Sequence, residues 1–445
     1  MIKKTLIPCA LALLQTLTLN AKVWTLQECI DYALENNISL KQAKIKTMQS
    51  HEDMLQSRSA LFPSVSFSTN QNMNYRPFSS STTNITNGSM TTNTNKVTYN
   101  GSYGINANWT VWNWNKNRMA IKQNRLTEEK NALGEQTQAN TIQEQIVQLY
   151  IQILYETEAV VVNEKIVEAS EAKANRAKEM VEVGSLAHVD WVQLEAQVDK
   201  DKYSLVTAQS QLANYKLQLK QLLELEGEEP FEIVNPEVEE QYVLSLIPDK
   251  YVIYQEALNH RPEIRSSQIA IEAANLSIRS ARTGYMPTLS MTAGIGSSNA
   301  SGQIRTFGEQ IKYNFSNSLG VTVSMPIFDN LTTRTAIRKA KYTKMDSELA
   351  LQAQKKTIFK NVEKYWLDAT TSQQQYIYAK KNRESMLESY RLVSEQFNLG
   401  LKNIIELTTG KNNLLQAEQQ MLQTKYTTLY NKALLKFYAG EKMEL

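Results

Sequence analysis

The chain contains four stretches in which a mostly hydrophobic face alternates, residue by residue, with a polar face. In residues 64–75 one face carries Val65, Phe67, Met73 and Tyr75, and the opposite face is entirely Ser and Asn. The same alternation returns three times further along the chain. A period of two is typical of a β-strand with one apolar and one polar face. The pattern predicts strands at about 63–75, 96–112, 286–297 and 312–328.

Two much longer segments carry the spacing of coiled-coil helices. No proline occurs between Pro77 and Pro230 or after Pro326, so each helix can run without a break. Apolar residues recur at heptad positions, and Asp201 is the charge that interrupts the seam. At 1.5 Å per residue the first of these helices would be about 100 Å long, which exceeds an ordinary globular core. The helices are predicted at about 116–181, 187–224, 332–397 and 403–440.

The chain repeats itself. The offset between equivalent positions is 224 residues from Ala33 to Ala257, and it becomes 216 residues from Asn113 to Asp329. It then holds without a gap to the end of the repeat, and the change falls in a loop that is longer in the first copy. An ungapped match of this length indicates an internal duplication.

Each copy has the same order of elements: helix, strand, loop, strand, very long helix, tight turn and long helix. The turns are predicted at Gly184 and Gly400, because glycine adopts the left-handed conformation that ends helices. The first repeat is assigned to residues 22–224 and the second to residues 251–445. Residues 225–250, rich in proline and acids, are interpreted as an equatorial linker.

The alternating strands resemble those of transmembrane barrels, in which the lipid side is apolar and the lumen side is polar. A soluble sandwich also alternates, but these strands form only two hairpins and their polar faces are small and uncharged. Trp109, Trp112 and Trp114 cluster at one strand end, as an interfacial aromatic girdle would. Four strands cannot close a barrel, so we expect an oligomer. The loops at 76–96 and 297–312 are predicted to be extracellular.

The first residues have the layout of a secretory signal. Lys3 and Lys4 precede an almost wholly apolar stretch, Thr5–Leu19, which ends near the small residue Ala21. A transmembrane anchor is the alternative, but the apolar stretch is too short for one. The sequence predicts a signal peptide at residues 1–21 and export of the remainder.

Composition argues against an enzyme or a nucleic-acid-binding protein. The formal net charge is only +3, so no basic footprint for nucleic acid is present. His51, His188 and His260 are scattered, and the chain has no HExxH, GxSxG or phosphate-binding glycine-rich loop. After cleavage of the signal only Cys29 remains, so no disulfide can form within one chain. No catalytic residue, metal site or cofactor is predicted.

The layout resembles the outer-membrane efflux protein family of TolC-like channels over essentially the whole mature chain. The most specific motifs are the two helix tips, Val183-Gly184-Ser185-Leu186 and Leu399-Gly400-Leu401, and the opening helix from Trp24 to Asn37 is also similar. The resemblance implies a mainly α fold with β. Its elements would be a duplicated helix-strand-strand-helix-helix repeat and a trimeric 12-stranded outer-membrane β-barrel, continuous with a long periplasmic α-helical coiled-coil barrel.

The same resemblance implies the partners. Members of the family form homotrimers in outer-membrane lipid, with a long periplasmic portion. A periplasmic adaptor (membrane fusion) protein docks at the helix tips and connects the channel to an inner-membrane pump. For this chain the docking residues would be those of the two tip motifs.

The resemblance also implies a gate, or constriction, near the tips. Asp190 and Glu406 match acidic positions of the family, whereas Thr409 stands where a second acid occurs. Phe397 replaces a tip-locking Tyr, and Lys402 replaces an Arg. These departures predict a gate held more weakly or by different contacts. The alternative for the two acids is that they are solvated charges in first helical turns, which the helix dipole favours.

The function expected from these observations is that of an outer-membrane channel subunit of a tripartite efflux or type I secretion system. The chain would be a passive exit duct for small molecules, gated at the periplasmic helix tips. A channel for protein secretion is the main alternative. A periplasmic coiled-coil adaptor is a weaker one, because this chain lacks the glycine-rich domains that flank an adaptor hairpin.

Overall fold

A computed structural model describes residues 23–78, 82–86, 89–93, 96–227, 231–236 and 239–443; the predicted signal peptide, residues 1–21, lies outside the described residues. Within these ranges the helices are α1 (Leu26–Asn36), α2 (Ile38–Ser59), α3 (Lys116–Glu182), α4 (His188–Leu222), α5 (Glu240–Leu244), α6 (Lys250–His260), α7 (Pro262–Arg282), α8 (Phe307–Tyr313), α9 (Thr332–Asn398) and α10 (Ile404–Tyr438). The strands are β1 (Val23–Trp24), β2 (Ser64–Tyr75), β3 (Thr82–Thr86), β4 (Ser89–Asn93), β5 (Val97–Trp112), β6 (Glu232–Ile233), β7 (Thr288–Ala300) and β8 (Ser316–Ser324). None of the helices in the described part of the chain has the length and hydropathy needed to cross a bilayer.

The chain divides into two compact units. The first contains the chain up to Lys41 together with Gln138–His260 and Ile358–Leu445, and it is mainly helical. The second contains Gln42–Thr137 and Arg261–Thr357, and it includes the sheet. The long helices α3 and α9 each contribute residues to both units.

The core of the helical unit forms where α3 presents its apolar stripe. Ile142, Ile146 and Ile153 are at most 1% exposed and pack in one cluster with Leu219 of α4 and Leu429 of α10. The three isoleucines of α3 are separated by steps of four and seven residues, which places their side chains on one helix face. The heptad pattern therefore supplies a packed core between long helices.

The linker between the repeats is fastened to this helical core. β6 pairs with β1 in parallel, and the hydroxyl of Tyr150 donates to the carbonyl of Val234 at 2.7 Å. The ammonium of Lys432 donates to the carbonyls of Tyr242 at 2.6 Å and Ser245 at 3.0 Å. Burial, together with a smaller contribution from the positive charge of Lys436, lowers the pKa of Lys432 to about 8.

The second unit is built around one four-stranded antiparallel sheet in the order β2-β5-β7-β8. β2 pairs with β5, and β7 pairs with β8, as hairpin partners. The pairing of β5 with β7, in which Ile105 lies opposite Ile295, joins a hairpin from each repeat into a continuous sheet. The two outer strands, β2 and β8, each have one neighbour in this sheet.

The outer strands of the sheet are exposed on both faces. Every side chain of β2 is exposed, including the apolar side chains of Phe67 (67%) and Met73 (71%). The apolar side chains of β8 are similar, with Leu319 at 70% and Val321 at 66% exposure. Apolar surface in such a continuous row is unusual on a water-soluble monomer and marks an interaction surface.

Each of the two strand-to-helix turns contains two consecutive residues with positive φ. After β5, Trp114 and Asn115 have φ values of 56° and 62°, and after β8, Asn330 and Leu331 have values of 52° and 65°. These positions are related by the 216-residue offset of the sequence repeat. In the second turn the carboxylate of Asp329 accepts the backbone N–H of Thr333 at 2.7 Å. Hydrogen bonds from Thr333, first that of its side chain and then that of its backbone, lower the pKa of Asp329.

Some elements differ from the sequence-based boundaries. The strand predicted at about 312–328 is shorter and spans Ser316–Ser324, because α8 occupies Phe307–Tyr313 and Pro326 has no N–H for the sheet. Thr306 begins α8 through a capping box with Glu309. The other segment interpreted as a loop, 76–96, contains the hairpin of β3 and β4.

Candidate functional site

The first helix tip is the turn between α3 and α4. Gly184 has a φ of 73°, and the N–H of Ser185 donates to the carbonyl of Met180 at 2.8 Å. This bond satisfies a carbonyl that the end of a helix leaves without a partner, and the left-handed glycine is what allows it. Val183 is 78% exposed, whereas Leu186 packs against neighbouring apolar side chains.

The second tip, between α9 and α10, is built in the same way. Gly400 has a φ of 74°, and the N–H of Leu401 donates to the carbonyl of Gln396 at 2.9 Å. Leu399 and Leu401 are 73% and 71% exposed. Each tip therefore exposes apolar side chains at a turn closed by a backbone hydrogen bond.

The two predicted gate acids have different surroundings. Asp190 lies half-buried in the first turn of α4, whose first residue is preceded by Ala187 and has no side-chain cap. The carboxylate of Glu406 accepts the backbone N–H of Asn403 at 3.2 Å and pairs with the ammonium of Lys402. The bond from Lys402, and then that from Asn403, lowers the pKa of Glu406. Among the described residues, no hydrogen bond or ion pair joins Asp190 to Glu406.

Phe397 is part of a small apolar cluster close to the tips. Its side chain is 7% exposed. The cluster takes residues from all four long helices: Ala174 and Ala177 of α3, Leu194 and Val198 of α4, Phe397 of α9, and Ile404 and Leu407 of α10. The aromatic ring therefore packs between the two helical hairpins.

A buried polar network lies next to this cluster. Asp201 of α4 forms an ion pair with Lys411 of α10, and the two side chains are 5% and 8% exposed. The same carboxylate accepts the hydroxyl of Ser170 at 2.5 Å and the amide of Gln197 at 2.8 Å. Burial lowers the pKa of Lys411, and its bond to Asp201 opposes that shift. The network links α3, α4 and α10.

A second lysine extends the network to α9. The ammonium of Lys173 donates to the hydroxyl of Ser394 at 2.6 Å and lies 4.6 Å from the centroid of the Tyr390 ring. Burial lowers the pKa of Lys173 to about 8, with a further contribution from the positive charge of Lys411. Sequence reasoning did not find this network. The sequence did contain one clue to it, because Asp201 is a charged residue in a heptad seam. Spacing alone could not identify Lys411 of α10 as its partner.

The three tryptophans lie together at one end of the sheet. The indole N–H of Trp109 donates to the carbonyl of Leu61 at 2.8 Å, and the rings of Trp112 and Trp114 meet edge to face at 6.2 Å. Their exposed fractions are 37%, 46% and 43%. This placement keeps aromatic surface accessible beside the apolar strands.

The chain belongs to the Outer membrane efflux protein family, whose sequence profile matches residues 29–224 and 253–441. The two matched segments correspond to most of the described helices and strands. The fold class predicted from the sequence, mainly α with β and TolC-like, is confirmed.

Among individual relatives, the chain is 22% identical over 276 residues to outer membrane protein TolC of Salmonella enteritidis, an alignment that covers 61% of this chain and 55% of that protein. It is 25% identical over 214 residues to alkaline protease secretion protein AprF of Pseudomonas aeruginosa, covering 47% of this chain and 44% of AprF. The chain thus spans about half the length of these relatives. The crystal structure of CusC superposes with a TM-score of 0.79 at 16% identity, covering 94% of this chain and 92% of CusC.

Proposed function

We propose that this chain is the outer-membrane channel subunit of an efflux or type I secretion system and acts as a passive exit duct. Membership of the efflux protein family supports the class of protein. The sheet supports the membrane location, because its outer strands expose rows of apolar side chains.

The observation that carries the proposal is the pair of unlike edges on this sheet. β2 and β8 bound the sheet on opposite sides, and they run in opposite directions because every neighbouring pair is antiparallel. The edge of one copy can therefore continue, still antiparallel, into the other edge of the next copy. Unlike edges that join head to tail generate a ring when the rotation between successive copies closes on itself. Three copies of four strands would give a ring of twelve strands, the number that the family resemblance implies.

Such a ring would meet lipid on its apolar face and water on its polar face. The row formed by Val65, Phe67 and Met73 would then be outside, with Ser and Asn between them facing the duct. Trp109, Trp112 and Trp114 would lie at the membrane–water interface, where aromatic rings are favoured.

The gate is proposed at the helix tips. Asp190 and Glu406 would form its acidic constriction, with Lys402 setting the position of Glu406. Phe397 would hold the two hairpins in register through the apolar cluster. The exposed apolar residues of the tips, Val183 and Leu399 among them, would receive a periplasmic adaptor that connects the channel to an inner-membrane pump.

Protein secretion is the second candidate function. The relative named AprF is an alkaline protease secretion protein, and its similarity to this chain favours a duct that admits polypeptides. The two candidates share the same channel and differ in the pump behind it. A passive duct carries no selective pocket, so the transported substrate would be chosen by that pump.

The decisive experiment is fractionation of cells that express the full chain, followed by native mass spectrometry of the detergent-extracted protein. The expected result is an outer-membrane protein with the mass of three mature chains. A matched control that lacks residues 1–21 should fail to reach the membrane. A mature protein that is monomeric and remains dissolved without detergent would rule out the channel.

A further inference from the structure

A groove in the helical unit is lined by tyrosines and a glutamate, a combination that a passive duct does not require. It encloses about 290 Å³ between α3, α4 and α10. Its walls contain the aromatic rings of Tyr155, Tyr215, Tyr426 and Tyr430, and Glu156 supplies its carboxyl group. Three glutamines, Ile151 and Thr427 complete the lining.

The carboxyl group of Glu156 lacks a protein partner, in contrast to its near neighbour. Glu158, on the same helix, accepts the hydroxyl of Tyr426 at 2.6 Å and the ammonium of Lys425 at 3.1 Å. Glu156 makes no hydrogen bond or ion pair with any described residue, although burial is sufficient to raise its pKa. A partly desolvated carboxylate without a counter-charge favours the binding of a cation.

The aromatic rings determine which kind of cation fits. Tyr426 already has partners within the chain. Its hydroxyl donates to the carboxylate of Glu158, and the ammonium of Lys425 lies 5.0 Å from its ring centroid. Tyr155, Tyr215 and Tyr430 also line the groove, and the Tyr155 ring meets the Tyr426 ring edge to face at 6.3 Å. The faces of aromatic rings attract bulky, weakly hydrated ammonium ions, whereas a metal ion would need several oxygen or nitrogen ligands around it.

We propose that this groove is a binding site for organic ammonium ions, with Glu156 as the counter-charge and Tyr155, Tyr215 and Tyr430 as the aromatic wall. The site goes beyond the exit duct, because a passive channel needs no ligand on its helices. Its occupancy is also measured without any transport assay, so it can fail while the channel function stands.

The test is calorimetric titration of the full-length protein in detergent with choline chloride, using sodium chloride at equal ionic strength as the reference. The neutral probe is dimethylbutanol, in which a tert-butyl group replaces the trimethylammonium of choline. We expect saturable binding of choline and none of dimethylbutanol at the same concentration. Glu156→Gln should weaken choline binding by about tenfold or more, since it removes the counter-charge and retains the shape.

Two controls separate the site from general effects. Glu164→Gln removes an exposed carboxylate from the same helix and should leave choline binding unchanged. Tyr430→Leu should weaken binding, whereas Tyr430→Phe, which keeps the ring, should not. Equal binding of the neutral probe, undiminished binding by a folded Glu156→Gln protein, or absence of saturable binding to the unmodified protein would overturn the proposal.

Discussion

At the scale of single residues, Asp201 shows how a charge can occupy the seam of a coiled coil. Its carboxylate is 5% exposed and is satisfied by Lys411, Ser170 and Gln197. Each of these partners is needed, because a buried carboxylate loses its hydration and must recover that free energy from hydrogen bonds. These contacts link α3 and α4, which belong to the first sequence repeat, with α10, which belongs to the second.

Substitution of Lys411 by Met should reduce the free energy of unfolding by about 3–5 kcal/mol, since it leaves the Asp201 carboxylate buried without a counter-charge. The measurement is denaturant unfolding of the detergent-solubilised protein, followed by its helical circular dichroism. The double variant Asp201→Asn with Lys411→Met should recover much of the loss, because neither charge is then buried. Equal unfolding free energies of the single and double variants would show that the pair is not what stabilises this region.

At the scale of elements, substitutions on the outer strands can distinguish a sheet in water from a sheet in lipid. Val321 and Thr322 are neighbours on β8 that point to opposite faces, and both are exposed in the single chain. In water a lysine would be tolerated at either position. In the proposed membrane ring only the face of Thr322 would be wet.

Val321→Lys should therefore greatly reduce the amount of protein assembled in the outer membrane, because a lysine on the lipid face costs about 2–4 kcal/mol near the bilayer centre. Thr322→Lys, its matched control, should assemble normally. Immunoblots of outer-membrane fractions, with and without heating to dissociate oligomers, measure both. Equal assembly of the two variants would contradict the assignment of faces.

The local periodicity of the sequence predicted the strands and the long helices, whereas the TolC-like fold class came from the family resemblance. Alternation in residues 64–75 and the long proline-free segments identify strand and helix directly. The pairing of Ile105 with Ile295 was not predicted, because periodicity does not say which strands are neighbours. The helix α8 was missed because it is only seven residues long, although Thr306 and Glu309 carry its capping signal.

The candidate site was predicted less completely. The tip glycines are signalled by their position between long helices, and both adopt left-handed conformations. The roles of Asp190, Glu406, Lys402 and Phe397 in a gate stay predictions. The buried network could not be predicted from the sequence. Contacts such as that between Lys173 and Ser394 join residues far apart in the chain and produce no periodic pattern.

At the scale of the whole molecule, the proposed gate depends on threefold crowding of acids at the tips. One copy supplies Asp190 and Glu406, and a trimer would bring three of each toward one axis. Converging carboxylates attract multivalent cations and repel anions. The charge of Glu406 has to be removed without disturbing its role at the start of α10, where its side chain completes a capping box.

The double variant Asp190→Asn with Glu406→Gln meets this requirement, because Gln also completes a capping box. We expect a higher single-channel conductance in planar bilayers and block by a trivalent cation weakened by about tenfold or more. Glu395→Gln, which removes an exposed carboxylate of α9, is the control and should conduct as the unmodified channel does. Unchanged conductance and unchanged block in the double variant would remove these acids from the gate.

The two strand-to-helix turns have a consequence for the history of the molecule. Their equivalent positions share no residue, since Trp114 corresponds to Asn330 and Asn115 to Leu331, yet all four adopt left-handed conformations. A leucine in that conformation is disfavoured by roughly 1–2 kcal/mol, so local preference does not select it. The turn is imposed by the strand and helix on either side, and the two halves of the chain form it with different side chains. An ancestor half as long, assembling from twice as many chains, would already have possessed this corner.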